Sequence, residues 1–254
     1  MRTKTLNQLL STTYSDIQFL VQPELLPAAG TMAIYGKAGT LKSWLVIDMM
    51  FALATGKVWL AYPCAEVPVL MVQGEQTEAQ YQPRIVKYCE ELNGAVPKNL
   101  LFDNDITLKL DGFIGLKLLE SSLQEWKAQK LPHMPKVIVL DCLYQLLSGS
   151  VSSETDLKQF TGTVDKIRDD YGCAFVIVHH PRKAGEGDLG LEEMLSSSIL
   201  GNWLDTIIKV ESHPPDADQP STVDLRFQKI KHASQEISGI RVKFNKHSVR
   251  FSPA

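Results

Sequence analysis

Short apolar runs rich in β-branched residues alternate along most of this chain with longer stretches of helical periodicity. Four of the runs are apolar on both faces: TMAIYG (31–36), VPVLMVQ (67–73), KVIVLD (136–141) and CAFVIVH (173–179). Strands of this kind belong in the centre of a parallel sheet that helices cover on both sides. The alternation therefore predicts an α/β fold with a mostly parallel central sheet flanked by helices.

The intervening stretches carry helix signals. KSWLVIDMMFALATG follows a glycine-containing loop and ends at Gly56, a residue suited to a helix C-cap. A second helix opens on Thr77, and Pro83 is expected to end its first turns or to kink it. Further helices are expected at 113–130 and, after Ser152 and Ser153, at 154–171.

The last third of the chain changes character. DTIIKVE, TVDLRFQKIK, GIRVKFN and SVRFS alternate polar and apolar residues, and polar turns separate them. This pattern predicts antiparallel strands that extend one edge of the sheet. The glycine-rich, charged stretch at 181–198 has no periodicity and is expected to be a loop after a central strand.

Composition narrows the class of protein. A chain of 254 residues with 44% hydrophobic and 22% charged residues is expected to form one large α/β domain. A net charge of -3 argues against binding nucleic acid through bulk charge, so any such contact must be local. Four widely spaced cysteines suit reduced core thiols of the cytoplasm and argue against a cysteine metal site: Cys64, Cys89, Cys142 and Cys173.

No export signal or membrane span is expected. The N-terminus lacks a continuous apolar segment and a small-residue cleavage site, and no apolar run approaches the roughly 18 to 20 residues that cross a bilayer. We therefore expect a cytoplasmic protein with no membrane partner.

A degenerate phosphate-binding motif follows the first central strand. In the pattern G-x-x-x-x-G-K-[ST], Gly36, Lys42 and Ser43 are in place, while Leu41 stands where the second glycine belongs. A strand leads into the loop, Gly39 relieves the turn and a helix starts at once, as a phosphate loop requires. The predicted loop residues are Gly36, Lys37, Ala38, Gly39, Thr40, Leu41, Lys42, Ser43 and Trp44. A glycine turn that binds nothing is the alternative.

Polar residues end the other central strands. Glu75 follows VLMVQG, Asp141 ends VIVLD, and His179 and His180 end FVIVHH. Ligands of open α/β sheets bind at the carboxyl ends of the strands, so these side chains are candidates for chemistry. Asp141 fits a partner of Mg²⁺, with capping of the next turn as its structural alternative. Glu75 fits a general base, provided that its strand lies next to the phosphate-loop strand, or else a solvated glutamate.

The two histidines are consecutive at a strand end. Only one of them can face the site because side chains alternate along a strand, and His180 is preferred as the one directed at the γ-phosphate. Ordinary structural histidines are the alternative.

Together these segments resemble the RecA-like ATPases of the plasmid replicative helicase family, of the RepA type and close to the AAA_25 grouping. The likeness covers nearly the whole chain after residue 17. The segments ALATG and HHPRK make it more specific than the phosphate loop alone. In that family the second loop glycine is often replaced, which favours a working site despite Leu41.

The resemblance implies a RecA-like P-loop NTPase core at 26–254, preceded by an N-terminal segment at 1–25 that would serve as a subunit-contact arm. It implies ATP and Mg²⁺ as cofactors, with Lys42 on phosphate, Ser43 and Asp141 on the metal and Glu75 as the catalytic carboxylate. One of the two histidines would sense the γ-phosphate. A hexameric ring, single-stranded DNA in its channel, and primase or replication-initiator partners are also implied.

Two departures from the family concern the cation that stabilises the transition state. Family members carry an arginine where this chain has Leu200, Gly201 and Asn202. Where relatives have Lys-x-Arg, this chain has Lys229 and Lys231, and lysine lacks the planar fork of arginine.

DNA contact is expected at Arg182 and Lys183, for which a solvated charged lid is the alternative. The expected function is that of an ATP-hydrolysing ring protein, a replicative helicase of plasmid or phage type. A recombination mediator that does not unwind DNA, and a nucleotide-dependent switch or scaffold for a protein partner, are the alternatives.

Overall fold

The fold is a nine-stranded, mostly parallel sheet between two layers of helices. The computed structural model describes residues 3–13, 16–92, 94, 96–105, 107–128, 134–181, 198–213 and 221–254. The strands are β1 Phe19–Val21, β2 Leu26–Pro27, β3 Thr31–Tyr35, β4 Val58–Trp59, β5 Tyr62–Pro63, β6 Val69–Gln73, β7 Leu100–Asp103, β8 Val137–Asp141, β9 Ala174–His179, β10 Thr206–His213, β11 Ser221–Ile230, β12 Ile240–Asn245 and β13 Arg250–Pro253.

The helices of the described residues follow the predicted order. They are α1 Leu6–Ser11, α2 Lys42–Thr55, α3 Glu78–Glu90, α4 Phe113–Ala128, α5 Glu154–Tyr171 and α6 Ser198–Trp203, with a 3₁₀ turn at Leu143–Leu146. Gly56 caps α2 in the left-handed conformation and Ser153 caps α5, as the sequence indicated. The expected break at Pro83 is wrong in one respect: α3 starts after Thr77 and runs through Pro83 without ending there. None of these helices is both long enough and apolar enough to cross a membrane.

The strand order decides which side chains meet. The large sheet runs β13-β12-β11-β10-β3-β9-β8-β6-β7, and the six strands from β10 to β7 are parallel to one another. The last four strands pair antiparallel, which confirms the predicted extension of one edge. Contrary to expectation, the strand that precedes Glu75 is not next to the phosphate-loop strand, because β9 and β8 lie between β3 and β6.

Alternation along β3 builds two cores, one on each face of the sheet. Met32 and Ile34 pack on one face with α2, whereas Ala33 and Tyr35 pack on the other with α4 and α5. All five β3 residues are buried, as a central parallel strand requires. Because α2 is anchored by burial along its whole length, the loop that joins β3 to α2 is held at both ends.

The N-terminal segment has two parts. The β1–β2 ribbon buries Leu20, Val21 and Leu25 in the same core as α2, so the packed body of the protein begins before residue 26. Ahead of it, α1 buries none of its residues. The use of this segment as a subunit-contact arm stays a prediction.

Candidate nucleotide-binding and catalytic site

The loop at 36–43 has the conformation of a phosphate loop although it lacks the second glycine. Gly39 and Leu41 both adopt the left-handed conformation, with φ of 80° and 64°. Glycine enters this region freely, whereas an L-residue with a side chain incurs about 1 kcal/mol or more of strain. Leu41 therefore reproduces the backbone of the glycine it replaces, at a local cost that its packing against the core helps to offset.

Gly36 is required at the start of the loop for a different reason. A Cβ at this position would collide with the carbonyl oxygen of Val210 on the neighbouring strand β10. The Gly36 N–H donates to the backbone oxygen of His179 at 3.4 Å. The loop is thus clasped between the ends of β10 and β9.

Lys42 lies at the first position of α2 and its ammonium group turns back into the loop. It donates to the backbone oxygens of Gly36 at 2.7 Å and Lys37 at 2.6 Å, and to the Thr40 hydroxyl at 3.2 Å. Burial lowers its pKa to about 8, although the nearby charge of Asp141 acts in the opposite direction. A buried ammonium group held over the loop is the expected partner of a phosphate.

The remaining loop residues frame this ammonium group. Lys37, Ala38 and Gly39 are exposed, whereas Thr40 is buried and its hydroxyl donates to the Lys37 oxygen at 2.9 Å. Trp44 packs at 5.8 Å from the ring of Phe244, and the Arg84 guanidinium lies 5.6 Å above the Trp44 ring. Sequence reasoning did not single out Arg84, which gives no motif signal from within α3.

The carboxylates converge from two strands. Asp141 is fully buried at the end of β8, with the Ser43 side chain against it. Burial raises the pKa of Asp141, and the Ser43 and Gln73 side chains lower it. Within the described residues its Oδ1 atom has no hydrogen-bond partner. A buried oxygen atom with no donor, next to a hydroxyl, fits the Mg²⁺ that Ser43 and Asp141 are expected to hold.

Glu75 reaches the same place from β6. Lys42 experiences the charges of both Asp141 and Glu75, so the two carboxylates border the phosphate loop even though two strands separate β6 from β3. The neighbouring His180 lowers the pKa of Glu75, and Cys142 and Lys42 lower it further against the effect of burial. Glu75 is therefore ionised at neutral pH and able to accept a hydrogen bond from water.

The two histidines differ as alternation predicts. His179 is buried within the sheet, whereas His180 is partly exposed and its Nε2 lies 3.7 Å from a Glu75 oxygen. His180 is thus the histidine at the site, in agreement with the preference from the sequence. Its proposed role toward the γ-phosphate is considered below.

Gln73 links the two carboxylates, and the sequence analysis missed it. Its side-chain oxygen accepts the backbone N–H of Glu75 at 2.7 Å and that of Gln76 at 3.3 Å, and its amide donates to Asp141 at 3.4 Å. A buried glutamine that ends an otherwise apolar strand, in VLMVQ, was the available signal.

Lys229 and Lys231 lie at the opposite edge of the sheet. Lys229 donates to the backbone oxygens of Gly201, Asn202 and Leu204 at 2.9, 3.3 and 2.6 Å, at the end of α6. Lys231 follows β11 and pairs at 3.2 Å with Asp205, whose backbone N–H bonds the first residue of β3. Both lysines are therefore at the amino ends of β3 and β10, far from the phosphate loop of their own chain. Arg182 and Lys183 lie outside the described residues.

The parallel sheet, the phosphate loop and the carboxylates at adjacent strand ends define a RecA-like P-loop ATPase. A family model described as "AAA domain" (AAA_25) matches residues 4–186, and the chain belongs to that family. This family implies a nucleotide, with Mg²⁺ as the typical accompanying ion.

Solved structures bear out the fold. The chain is similar to the solved ATPase domain of a helicase, with a TM-score of 0.65 and 10% identity over 89% of this chain and 85% of that one. It is also similar to the flagellar accessory protein FlaH from Methanocaldococcus jannaschii, with a TM-score of 0.59 and 16% identity over 90% and 92% of the two chains. No curated protein sequence matches the chain.

Proposed function

We propose that this chain binds and hydrolyses ATP as a ring-forming RecA-like protein that acts on single-stranded DNA, as a replicative helicase of plasmid or phage type. The observation that carries the hydrolytic part is the convergence of Lys42, Asp141, Glu75 and His180 on one loop. The DNA and ring parts rest on the resemblance of the sequence to plasmid replicative helicases.

Each residue has one task in this proposal. Lys42 exchanges its bonds to loop oxygens for bonds to the β- and γ-phosphates. Ser43 and Asp141 hold Mg²⁺, which supplies positive charge to the phosphate oxygens when bound. Glu75 accepts a hydrogen bond from the attacking water and orients it, and Gln73 fixes the turn that carries Glu75. His180 donates toward the γ-phosphate and, through Glu75, relates its presence to the base.

Two variants test the hydrolytic part. Lys42→Ala is expected to abolish triphosphate binding or turnover because it removes the charge that neutralises the phosphates. Glu75→Gln is expected to bind ATP and lose turnover, since the amide keeps the shape of the side chain without its basicity. Turnover that survives Lys42→Ala rejects the site, and loss of ATP binding in Glu75→Gln makes Glu75 structural.

The DNA part is tested by turnover with and without an oligonucleotide and by displacement of a labelled strand. A helicase shows DNA-stimulated turnover and strand displacement. Annealing without displacement favours a recombination mediator. DNA-independent turnover together with no DNA binding favours a switch or scaffold whose partner is a protein.

The second cation of hydrolysis is proposed to come from the neighbouring subunit through Lys231. Its position at the edge opposite its own phosphate loop supports a contact in trans, because a ring subunit presents opposite sides to its two neighbours. Lys231→Ala is expected to lower turnover and leave nucleotide affinity nearly unchanged. Mixing it with Lys42→Ala restores interfaces with an intact loop and an intact lysine, so activity should return. No rescue in proven mixed rings rejects the role.

The short helix α1 is proposed as the arm that contacts a second copy of this chain. Leu6, Leu9 and Leu10 are exposed on it, and no α1 residue is buried. A Leu10→Glu variant is expected to lower the mass of the assembly in solution, with the Lys4→Ala variant as a control on the same segment. An unchanged mass rejects the arm.

A further inference from the structure

Four side chains with three kinds of donor atom meet at the edge of the sheet beside the phosphate loop. The carboxylates of Glu75 and Asp141, the Cys142 thiol and the His180 imidazole each offer one ligand atom, and these atoms all lie within 4.8 Å of one another. They come from the ends of β6, β8 and β9, so the parallel sheet fixes their spacing.

The donor set does not match the ion that the nucleotide brings. Mg²⁺ takes oxygen ligands and retains several waters, and it has no use for a thiol or an imidazole. Thiolate, imidazole and carboxylate are ligands of Zn²⁺, at about 2.0 to 2.3 Å. Tetrahedral ligands at such distances are separated by about 3.3 to 3.8 Å. A cluster that spans 4.8 Å therefore closes on such an ion by movements of about 1 Å.

Unpaired polar atoms point to a ligand here as well. Asp141 is fully buried, and neither its Oδ1 atom nor the two ring nitrogens of His180 have a hydrogen-bond partner in the described part of the chain. The 3.7 Å between His180 and Glu75 is too long for a hydrogen bond. Buried polar atoms without partners are costly, and a cation would satisfy those on Asp141 and His180 together.

We propose that Glu75, Asp141, Cys142 and His180 form a binding site for a thiophilic divalent cation such as Zn²⁺, and that occupation of this site blocks nucleotide hydrolysis. Binding replaces the proton of the Cys142 thiol by a metal–sulfur bond, and the proton passes to solvent without any change of oxidation state. The ion takes Asp141 from Mg²⁺ and Glu75 from the attacking water, so this inhibitory part rests on the proposed function.

The site itself is tested with Co²⁺, which reports its ligands by absorption. Cobalt chloride is titrated into the metal-free full chain without nucleotide. We expect one equivalent to produce a thiolate-to-cobalt charge-transfer band, which zinc chloride then bleaches. Cys142→Ser should lose the band, and Cys89→Ser, a partly buried cysteine on α3, should keep it. Absence of the band in the wild type, or its persistence in Cys142→Ser, overturns the proposal.

The inhibitory part is tested by turnover at saturating Mg²⁺ and ATP with increasing zinc chloride. Each variant is compared with its own zinc-free rate. Cys142→Ser is expected to need at least about tenfold more Zn²⁺ for half inhibition, and a chelator should restore the wild-type rate. Zinc sensitivity that is equal in the wild type and Cys142→Ser overturns the inhibitory role. A cobalt band in a chain without turnover supports the metal site and rejects the proposed ATPase, whereas turnover without the band does the reverse.

Discussion

Replacing Gln73 by methionine tests how the two carboxylates of the site are positioned. Gln73 is 1% exposed, and its side-chain amide bonds Glu75, Gln76 and Asp141. Methionine has a similar length and fills the same space, but it lacks the amide. Gln73→Met therefore removes the hydrogen bonds while it leaves the packing of the strand end nearly unchanged.

The magnitude follows from the bond lengths. The 2.7 Å bond to the Glu75 N–H contributes about 1 kcal/mol, and leaving that N–H without an acceptor adds about 1 kcal/mol more. The contacts with Gln76 and Asp141, at 3.3 and 3.4 Å, are longer and weaker. If the resulting 2 kcal/mol, roughly, is lost in the hydrolytic step, kcat falls about 30-fold. ATP affinity should stay near wild type because β3 and α2 hold the phosphate loop.

The assay is steady-state turnover across pH, with Gln73→Glu as the matched variant. Its carboxylate still accepts the two backbone N–H groups, but it places a like charge beside Asp141 and raises the pKa of that carboxyl further. The acid limb of its pH–rate profile should therefore move to higher pH, while that of Gln73→Met should not. A wild-type kcat in Gln73→Met, or identical pH profiles for both variants, refutes the positioning role.

Three further predictions concern the loop and the opposite edge of the sheet. Gly36→Ala should abolish nucleotide binding, measured by calorimetry, because its Cβ would displace the loop from β10; wild-type affinity would contradict this. The pKa of Lys42 is about 8 in the free chain and must rise on phosphate binding, so ATP affinity should be full below pH 8 and fall by up to about tenfold per pH unit above it; a flat profile to about pH 9.5 would contradict this. Lys229→Met should lower the free energy of unfolding by about 2 kcal/mol, since three backbone oxygens at the end of α6 lose their donor; lost turnover with unchanged stability would instead favour a catalytic Lys229.

The sequence alone determined the α/β class, the central strands, the antiparallel extension and the place of the phosphate loop. These features depend on neighbours along the chain: apolar runs of strand length, helical periodicity, and glycine and serine at caps. The polar residues at strand ends could also be found from the sequence, because parallel strands bring their carboxyl ends to one edge.

Only the tertiary structure decided which of these residues meet. The order of the strands placed β9 and β8 between β3 and β6, yet it brought Glu75 to Asp141 and added Cys142, which the sequence analysis had assigned to the core. Pairings between distant segments also gave Gln73 its three partners and Lys229 its contacts with the end of α6. Local periodicity carries no information on strand order, because that order is set by how helices and strands far apart in the chain pack into shared cores.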